Sequence, residues 1–207
     1  MTTAPHLTAT QNLTAVAHQV GARDRHARYG HAGAVIWLTG LSAAGKSTLA
    51  MGLEAALLER GYACYTLDGD NIRHGLNANL GFSQADRTEN IRRVGEVAAL
   101  FADAGLICIT SFISPYRADR AQARAAAQRT GFHEIYIAAD LAACEARDPK
   151  GLYRKARAGE LKEFTGIDAP YEVPDAPELI LTTGRETVQA SLTSLLNYVT
   201  DRLPLRR

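Results

Sequence analysis

Cysteine is scarce in this chain, three in 207 residues, and tryptophan scarcer, with one. Cys64, Cys108 and Cys144 lie in apolar surroundings, are odd in number and form no C-x-x-C pair. A disulfide framework or a cysteine metal site is therefore not expected; buried thiols in a reducing compartment are. Charge of neither sign is in excess. A formal net charge of +1 argues against the broad basic surface that polymeric nucleic acid or an anionic membrane requires. No apolar run approaches the roughly 18 residues of a membrane span, and no secretory h-region opens the chain. An internal repeat is missing too, as is the N-K-x-D tetrapeptide by which GTPase switches read their base. What is present is ordinary for a globular protein: 46% hydrophobic and 22% charged residues, in a length that suits one domain.

Against that plain background one stretch stands out. Gly40-Leu41-Ser42-Ala43-Ala44-Gly45-Lys46-Ser47-Thr48 fits the G-x-x-x-x-G-K-[ST] phosphate loop at every position. Glycines at both ends let the backbone curl until successive N–H groups point at an anion. The following helix adds its free N–H groups and the positive end of its dipole. Lys46 is placed for the outer phosphates and the Ser47 hydroxyl for Mg²⁺. Before the loop, Ala34-Val35-Ile36-Trp37-Leu38 reads as a strand buried on both faces. After it, Leu49, Leu53, Ala56 and Leu57 recur at helical spacing until Gly61. Strand, loop and helix come in the order that nucleoside triphosphate binding needs.

Further along, Cys64-Tyr65-Thr66-Leu67 reads as a second strand, with Asp68 and Asp70 at its carboxyl end. Ligands gather at that edge of an open α/β sheet. Two carboxylates there suit metal support or acceptance of a hydroxyl proton; a plain Asp-Gly turn is the alternative. A helix from about Gln84 to Ala104 carries an apolar stripe of Ile91, Val94, Ala98 and Phe101, and at 100° per residue Arg87 and Asn90 fall on that stripe. Inward polar groups need partners, either an anionic ligand or an internal salt bridge. Residues 106–113 form a third strand, after which Ser114-Pro115 reads as an N-cap and first helical position; the same hydroxyl also lies at the ligand edge. Residues 132–139 and 178–183 supply two more strands, with a short helix around Leu141 to Arg147 between them. A last helix bears Val188, Leu192, Leu195, Val199 and Leu203 on one face. The polar stretch 148–172 is long for a connection, and such segments are functional lids or disordered.

Five apolar strands alternating with helices imply an α/β fold with right-handed crossovers into one five-stranded parallel sheet, a P-loop NTPase-type three-layer sandwich with a lid segment at about 148–172. Residues 1–33 form an N-terminal arm, rich in Thr, Ala and His, that reads as mobile or as a subunit contact. Residues 34–207 form the catalytic domain.

Taken together the motifs resemble the adenylyl-sulfate kinase family, which phosphorylates the ribose 3′-hydroxyl of adenosine 5′-phosphosulfate (APS). Beyond the phosphate loop, the resemblance rests on Leu67-Asp68-Gly69-Asp70-Asn71-Ile72-Arg73-His74-Gly75-Leu76-Asn77, Leu80-Gly81-Phe82-Ser83, Asp86-Arg87 and Glu89-Asn90-Ile91-Arg92-Arg93. It continues in Phe112-Ile113-Ser114-Pro115-Tyr116-Arg117, Arg147-Asp148-Pro149-Lys150-Gly151-Leu152-Tyr153 and Phe164-Thr165-Gly166-Ile167-Asp168. By this resemblance ATP binds residues 40–48 (Gly40, Leu41, Ser42, Ala43, Ala44, Gly45, Lys46, Ser47 and Thr48), with Arg147 against its adenine and Mg²⁺ as cofactor. APS binding falls to Asp70, Asn71, Ile72, Arg73, Phe82, Arg87, Asn90, Ile113, Ser114, Lys150, Glu163 and Phe164. Phe82 and Phe164, read as loop residues, would sandwich the APS adenine. The catalytic residues are Lys46, Asp70 as proton acceptor, Asp68 in support of the metal shell, and Ser114, at a position often described as phosphoserine in the family. Also implied are a cytoplasmic homodimer and an association with ATP sulfurylase. Asn12-Leu13-Thr14 and His18 resemble the family's opening, although a tryptophan expected nearby is missing. The alternatives are another small-metabolite P-loop kinase, against which Arg73, Phe82, Arg87, Asn90 and Phe164 count, or a non-catalytic nucleotide-binding regulator, against which Lys46, Ser47 and Asp70 count.

Overall fold

The structure, a computed structural model, describes residue 14 and residues 16–206; Asn12, Leu13 and the rest of residues 1–13 lie outside the described residues. Five strands, β1 (Ala34–Thr39), β2 (Cys64–Asp68), β3 (Ile107–Ser111), β4 (Phe132–Ile137) and β5 (Leu179–Leu181), pair in parallel in the order β2-β3-β1-β4-β5. β1 lies at the centre, and all six of its residues are buried, which is why its sequence is continuously apolar rather than alternating. The chain crosses to β3 on one side of β1 and to β4 on the other, so the carboxyl end of β1 is the switch point at which such sheets bind ligands.

Helices cover both faces. On one, α2 (Lys46–Glu59) and α8 (Val188–Arg202) pack over Ile36, Leu38, Ile109 and Ile135; on the other, α4 (Gln84–Asp103) and α5 (Arg117–Ala126) pack over Val35, Trp37 and Cys108. The remaining helices are short: α1 (Ala22–Tyr29), α3 (Gly69–Arg73), α6 (Leu141–Arg147) and α7 (Leu152–Arg157). Among the described residues no helix is long and apolar enough to cross a membrane. All three cysteines are free.

Several sequence expectations need correction. Ser114 does not cap a helix: α5 starts at Arg117 with Tyr116 as N-cap, because the Ser114 hydroxyl is taken by tertiary partners instead. The stretch 148–172 is not a structureless loop. It contains α7, an isolated bridge between Thr165 and Ala169, and the buried side chains of Tyr153, Phe164 and Thr165. Val188 departs from the apolar face of α8, being exposed where it lines the cavity described below. The part of residues 1–33 described from Ala22 onward is docked on the body. Arg25 pairs with Asp103, buried His31 Nε2 accepts from the Ala63 N–H at 2.9 Å, and the Arg206 N–H donates to the Gly30 carbonyl at 2.7 Å.

Candidate active site

Between β1 and α2, the loop 40–45 turns tightly where only glycine is comfortable. Gly45 has φ 103°, and a side chain at Gly40 would meet the Ile137 carbonyl at 2.6 Å. Every carbonyl from Gly40 to Ala44 has a donor. Lys46 Nζ donates to Gly40 (2.9 Å) and Leu41 (2.6 Å), Tyr153 Oη to Ser42 (3.0 Å), Arg147 Nη1 to Ala43 (3.4 Å) and Thr183 Oγ1 to Ala44 (2.7 Å). Satisfying the carbonyls from outside leaves the N–H groups as the anion cradle. Sequence reasoning missed Tyr153 and Thr183 as parts of this loop. Burial pushes the Lys46 ammonium down to about 8, against an ordinary value near 10.4, and among the described residues its direct partners are two neutral carbonyls. Phosphate oxygens would offer it far better compensation.

Beside the loop, Ser47 Oγ donates to Asp68 Oδ2 at 2.7 Å and lies 3.2 Å from Ser111 Oγ. Asp68 is buried at the end of β2, and its other oxygen accepts the Asp70 N–H at 3.1 Å, capping α3. These are hard oxygen donors of the kind Mg²⁺ prefers. Among the described residues no group of three or more His, Cys, Asp or Glu could hold a metal ion, so an all-protein cage is not what this site offers. One carboxylate and one hydroxyl beside a phosphate cradle fit Mg²⁺, which keeps water and substrate phosphates among its ligands.

The opposite wall is made of side chains. Arg87 Nε donates to the Phe82 carbonyl (2.7 Å), Nη1 to Thr165 Oγ1 (2.7 Å) and Nη2 to the Glu163 carbonyl. Among the described residues it makes no internal salt bridge; one carbonyl from the loop before α4, one from the lid and a lid hydroxyl hold it. Asn90 is buried and accepts from Asn77 Nδ2 at 3.0 Å. The Arg73 guanidinium lies 4.4 Å from the Phe82 ring centre. Phe82 is 61% exposed, whereas Phe164 is 7% exposed and packs edge-on against Tyr153. Loop position therefore misled for Phe164, which is a core residue that also reaches the cavity. Across the opening, Lys150 at the start of the lid pairs with Asp70.

A single cavity of about 850 Å³ joins the two walls. Lys46, Ser47, Asp68, Asp70, Arg73, Phe82, Arg87, Asn90, Ile113, Ser114, Arg147, Lys150 and Phe164 all line it. Asn71, Ile72 and Glu163 do not: Asn71 is exposed, Ile72 packs toward the core under α4, and Glu163 offers Arg87 only its backbone carbonyl. Leu161, Lys162, Glu186 and Val188 line it without having been foreseen. Ser114 is 2% exposed; its Oγ accepts from Trp37 Nε1 (3.1 Å) and donates to Thr39 Oγ1 (3.0 Å).

A parallel sheet with a phosphate loop at its switch point, an Asp-Ser pair beside it and a second polar wall across one cavity defines an ATP-dependent phosphotransferase of the P-loop class. The sequence model of the adenylylsulphate kinase family matches residues 32–182. Adenylyl-sulfate kinase of Geotalea daltonii is 60% identical over 84% of this chain and 86% of its own, and that of Staphylococcus carnosus 54% identical over 93% and 96%. Among solved structures, the APS kinase of Mycobacterium tuberculosis in complex with AMPPNP and APS superposes with a TM-score of 0.78, at 48% identity over 81% of this chain and 98% of that one. The chain belongs to the adenylylsulphate kinase family.

Proposed function

We propose that this protein transfers the γ-phosphoryl group of ATP to the 3′-hydroxyl of APS, giving 3′-phosphoadenosine 5′-phosphosulfate and ADP. The observation that carries the reading is the continuity of one cavity from the phosphate loop to Arg87 and Asn90. It has room and matched chemistry for two nucleotides meeting at Asp70.

ATP lies with its phosphates in the loop, held by backbone N–H groups and by Lys46 after it exchanges the Gly40 and Leu41 carbonyls for phosphate oxygens. Ser47 and Asp68 would hold Mg²⁺, which neutralises charge on the transferring phosphates. Arg147, reaching Ala43 and the Thr183 carbonyl, borders the ATP adenine. APS occupies the other wall, with Arg73, Arg87 and Lys150 toward its phosphosulfate and Phe82 and Phe164 toward its base. Asp70 orients the 3′-hydroxyl and takes its proton once Lys150 turns to the anionic substrate. Transfer is direct: the Ser114 hydroxyl is occupied by Trp37 and Thr39, so Ser114 supports the wall rather than carrying a phosphoryl group. Positioning and charge neutralisation supply most of the catalysis.

The reading includes a cytoplasmic location, which three free thiols support, and a homodimer. ATP sulfurylase, whose product is the acceptor, is the partner this function calls for. Incubation with Mg-ATP and APS, with chromatography of the nucleotides, tests the activity. Appearance of the 3′-phosphorylated product with stoichiometric ADP is expected, and ADP formed equally well from gluconate or a nucleoside would refute the assignment. Gel filtration alone and with ATP sulfurylase checks the assembly.

A further inference from the structure

One ionic group lies next to the acceptor wall without touching the cavity. Arg120, on α5, is 3% exposed, yet each arm of its guanidinium has a partner. Nε donates to Glu134 Oε1 on β4 at 2.6 Å, Nη1 to the Ser114 carbonyl at 2.7 Å, and Nη2 to the Glu172 carbonyl at 2.8 Å. Ser114 holds φ at +41°, which a residue with a side chain adopts only when its surroundings impose it. The Arg120 bond to its carbonyl is part of that imposition.

The same fork reaches the end of the lid. Around it the Glu172 N–H donates to the Pro115 carbonyl at 2.8 Å, the Arg117 N–H donates to Glu172 Oε2 at 2.7 Å, and Tyr171 Oη lies 3.0 Å from Thr39 Oγ1. Thr39 in turn donates to the Ile113 carbonyl at 2.7 Å. The turn 113–116 and residues 171–173 are thus one hydrogen-bonded unit with Arg120 at its centre. A planar fork can serve a carboxylate and two carbonyls at once; a lysine ammonium on a flexible stem cannot match all three directions.

We infer that Arg120, braced by Glu134, is a positioning residue for the acceptor nucleotide, locking the turn that carries Ile113 and Ser114 to the closing end of the lid. This rests on the acceptor side of the cavity binding APS. It makes the lid's far hinge, and not only its tip at Lys150, part of acceptor recognition, while the phosphate loop stays outside the unit.

Steady-state kinetics of wild type, Arg120→Lys, Arg120→Met and Glu134→Gln, with the affinity of each for a non-hydrolysable ATP analogue, test it. Arg120→Lys is expected to lower kcat/KM for APS at least tenfold and Glu134→Gln threefold or more, with analogue affinity within twofold of wild type. APS kinetics within twofold of wild type in a folded variant overturns the inference, and so does a parallel loss for both nucleotides, the mark of general loosening. Should Arg120→Met fail to fold, the near-isosteric Glu134→Gln decides by the same criteria. If the wild type does not phosphorylate APS, it is the functional reading that fails. Amide hydrogen exchange then judges the coupling: faster exchange in Arg120→Lys at both 113–116 and 171–173 keeps the lock, and acceleration at only one removes it.

Discussion

The two walls of the cavity are built by opposite means. On the phosphate side, the loop and one helix end present backbone N–H groups, and the side chains involved brace the loop from behind. On the other side, α3, the loop carrying Phe82, α4, the turn after β3 and the lid each contribute side chains to the wall. Backbone-built recognition is compact in sequence and indifferent to most side chains. The side-chain-built kind is dispersed, adjustable and dependent on the lid being in place.

That contrast can be broken first at its sharpest point. Lys46→Met should lower kcat by about 10³-fold or more, roughly 4 kcal/mol of transition-state stabilisation, without loss of folding, since a buried ammonium is exchanged for a buried thioether. A destabilised variant would mean that the lysine holds the loop together through Gly40 and Leu41. Asp70→Asn comes next, at roughly 10²-fold in kcat with unchanged affinity for an ATP analogue; near-wild-type turnover would remove Asp70 as proton acceptor. The two phenylalanines of the acceptor wall are expected to separate. Phe164→Ala should cost about 3 kcal/mol of stability, a fall of roughly 6–12 °C in thermal midpoint, because it lies in the core against Tyr153. Phe82→Ala should cost under about 0.5 kcal/mol while still raising KM for APS, so calorimetry alongside APS kinetics shows whether the wall is partly core and partly clamp.

The smallest effect concerns pH. Lys46 releases its proton near 8 in the folded protein, whereas in the unfolded chain it does so near 10.4. Above pH 8 the unfolded state therefore binds more protons at this group, and its contribution to the stability of the unliganded protein rises with pH. The buried thiols oppose this, since burial pushes Cys108 up to about 12 and Cys64 up to about 11, and their unfolded counterparts begin to ionise near 8.5. The two contributions nearly offset each other between pH 7.5 and 8.5, so the wild type is expected to change little there, whereas Lys46→Met, left with the thiols alone, loses stability as pH rises; nucleotide affinity of the wild type weakens as the amine loses its charge. Urea midpoints and analogue titration across that window measure both.

The same contrast governs what could be read from the residues alone. The phosphate loop and the fully buried β1 are local patterns, and the inward turn of Arg87 and Asn90 follows from helical spacing. The donors behind the loop are not local. Tyr153 meets Ser42 across 111 positions and Thr183 meets Ala44 across 139, distances over which no periodicity speaks. Ser114 shows local logic overruled: a serine before proline favours a helix cap, but Trp37 and Thr39 compete for its hydroxyl and win, delaying the helix to Arg117. The burial of Phe164 was hidden for a related reason, because a loop is exposed only until another element packs on it, and here the lid supplies its own partner in Tyr153.

The seam between Gly30 and Arg206, reinforced by Tyr62 Oη accepting from the Leu205 N–H at 3.2 Å, has a practical corollary. It brings the two ends of residues 30–206 together at the edge of the sheet where β1 starts, opposite to the edge that carries the phosphate loop. Tags, tethers or appended modules fused on either side of residues 30–206 would hang from the same rear corner and leave the mouth of the cavity clear.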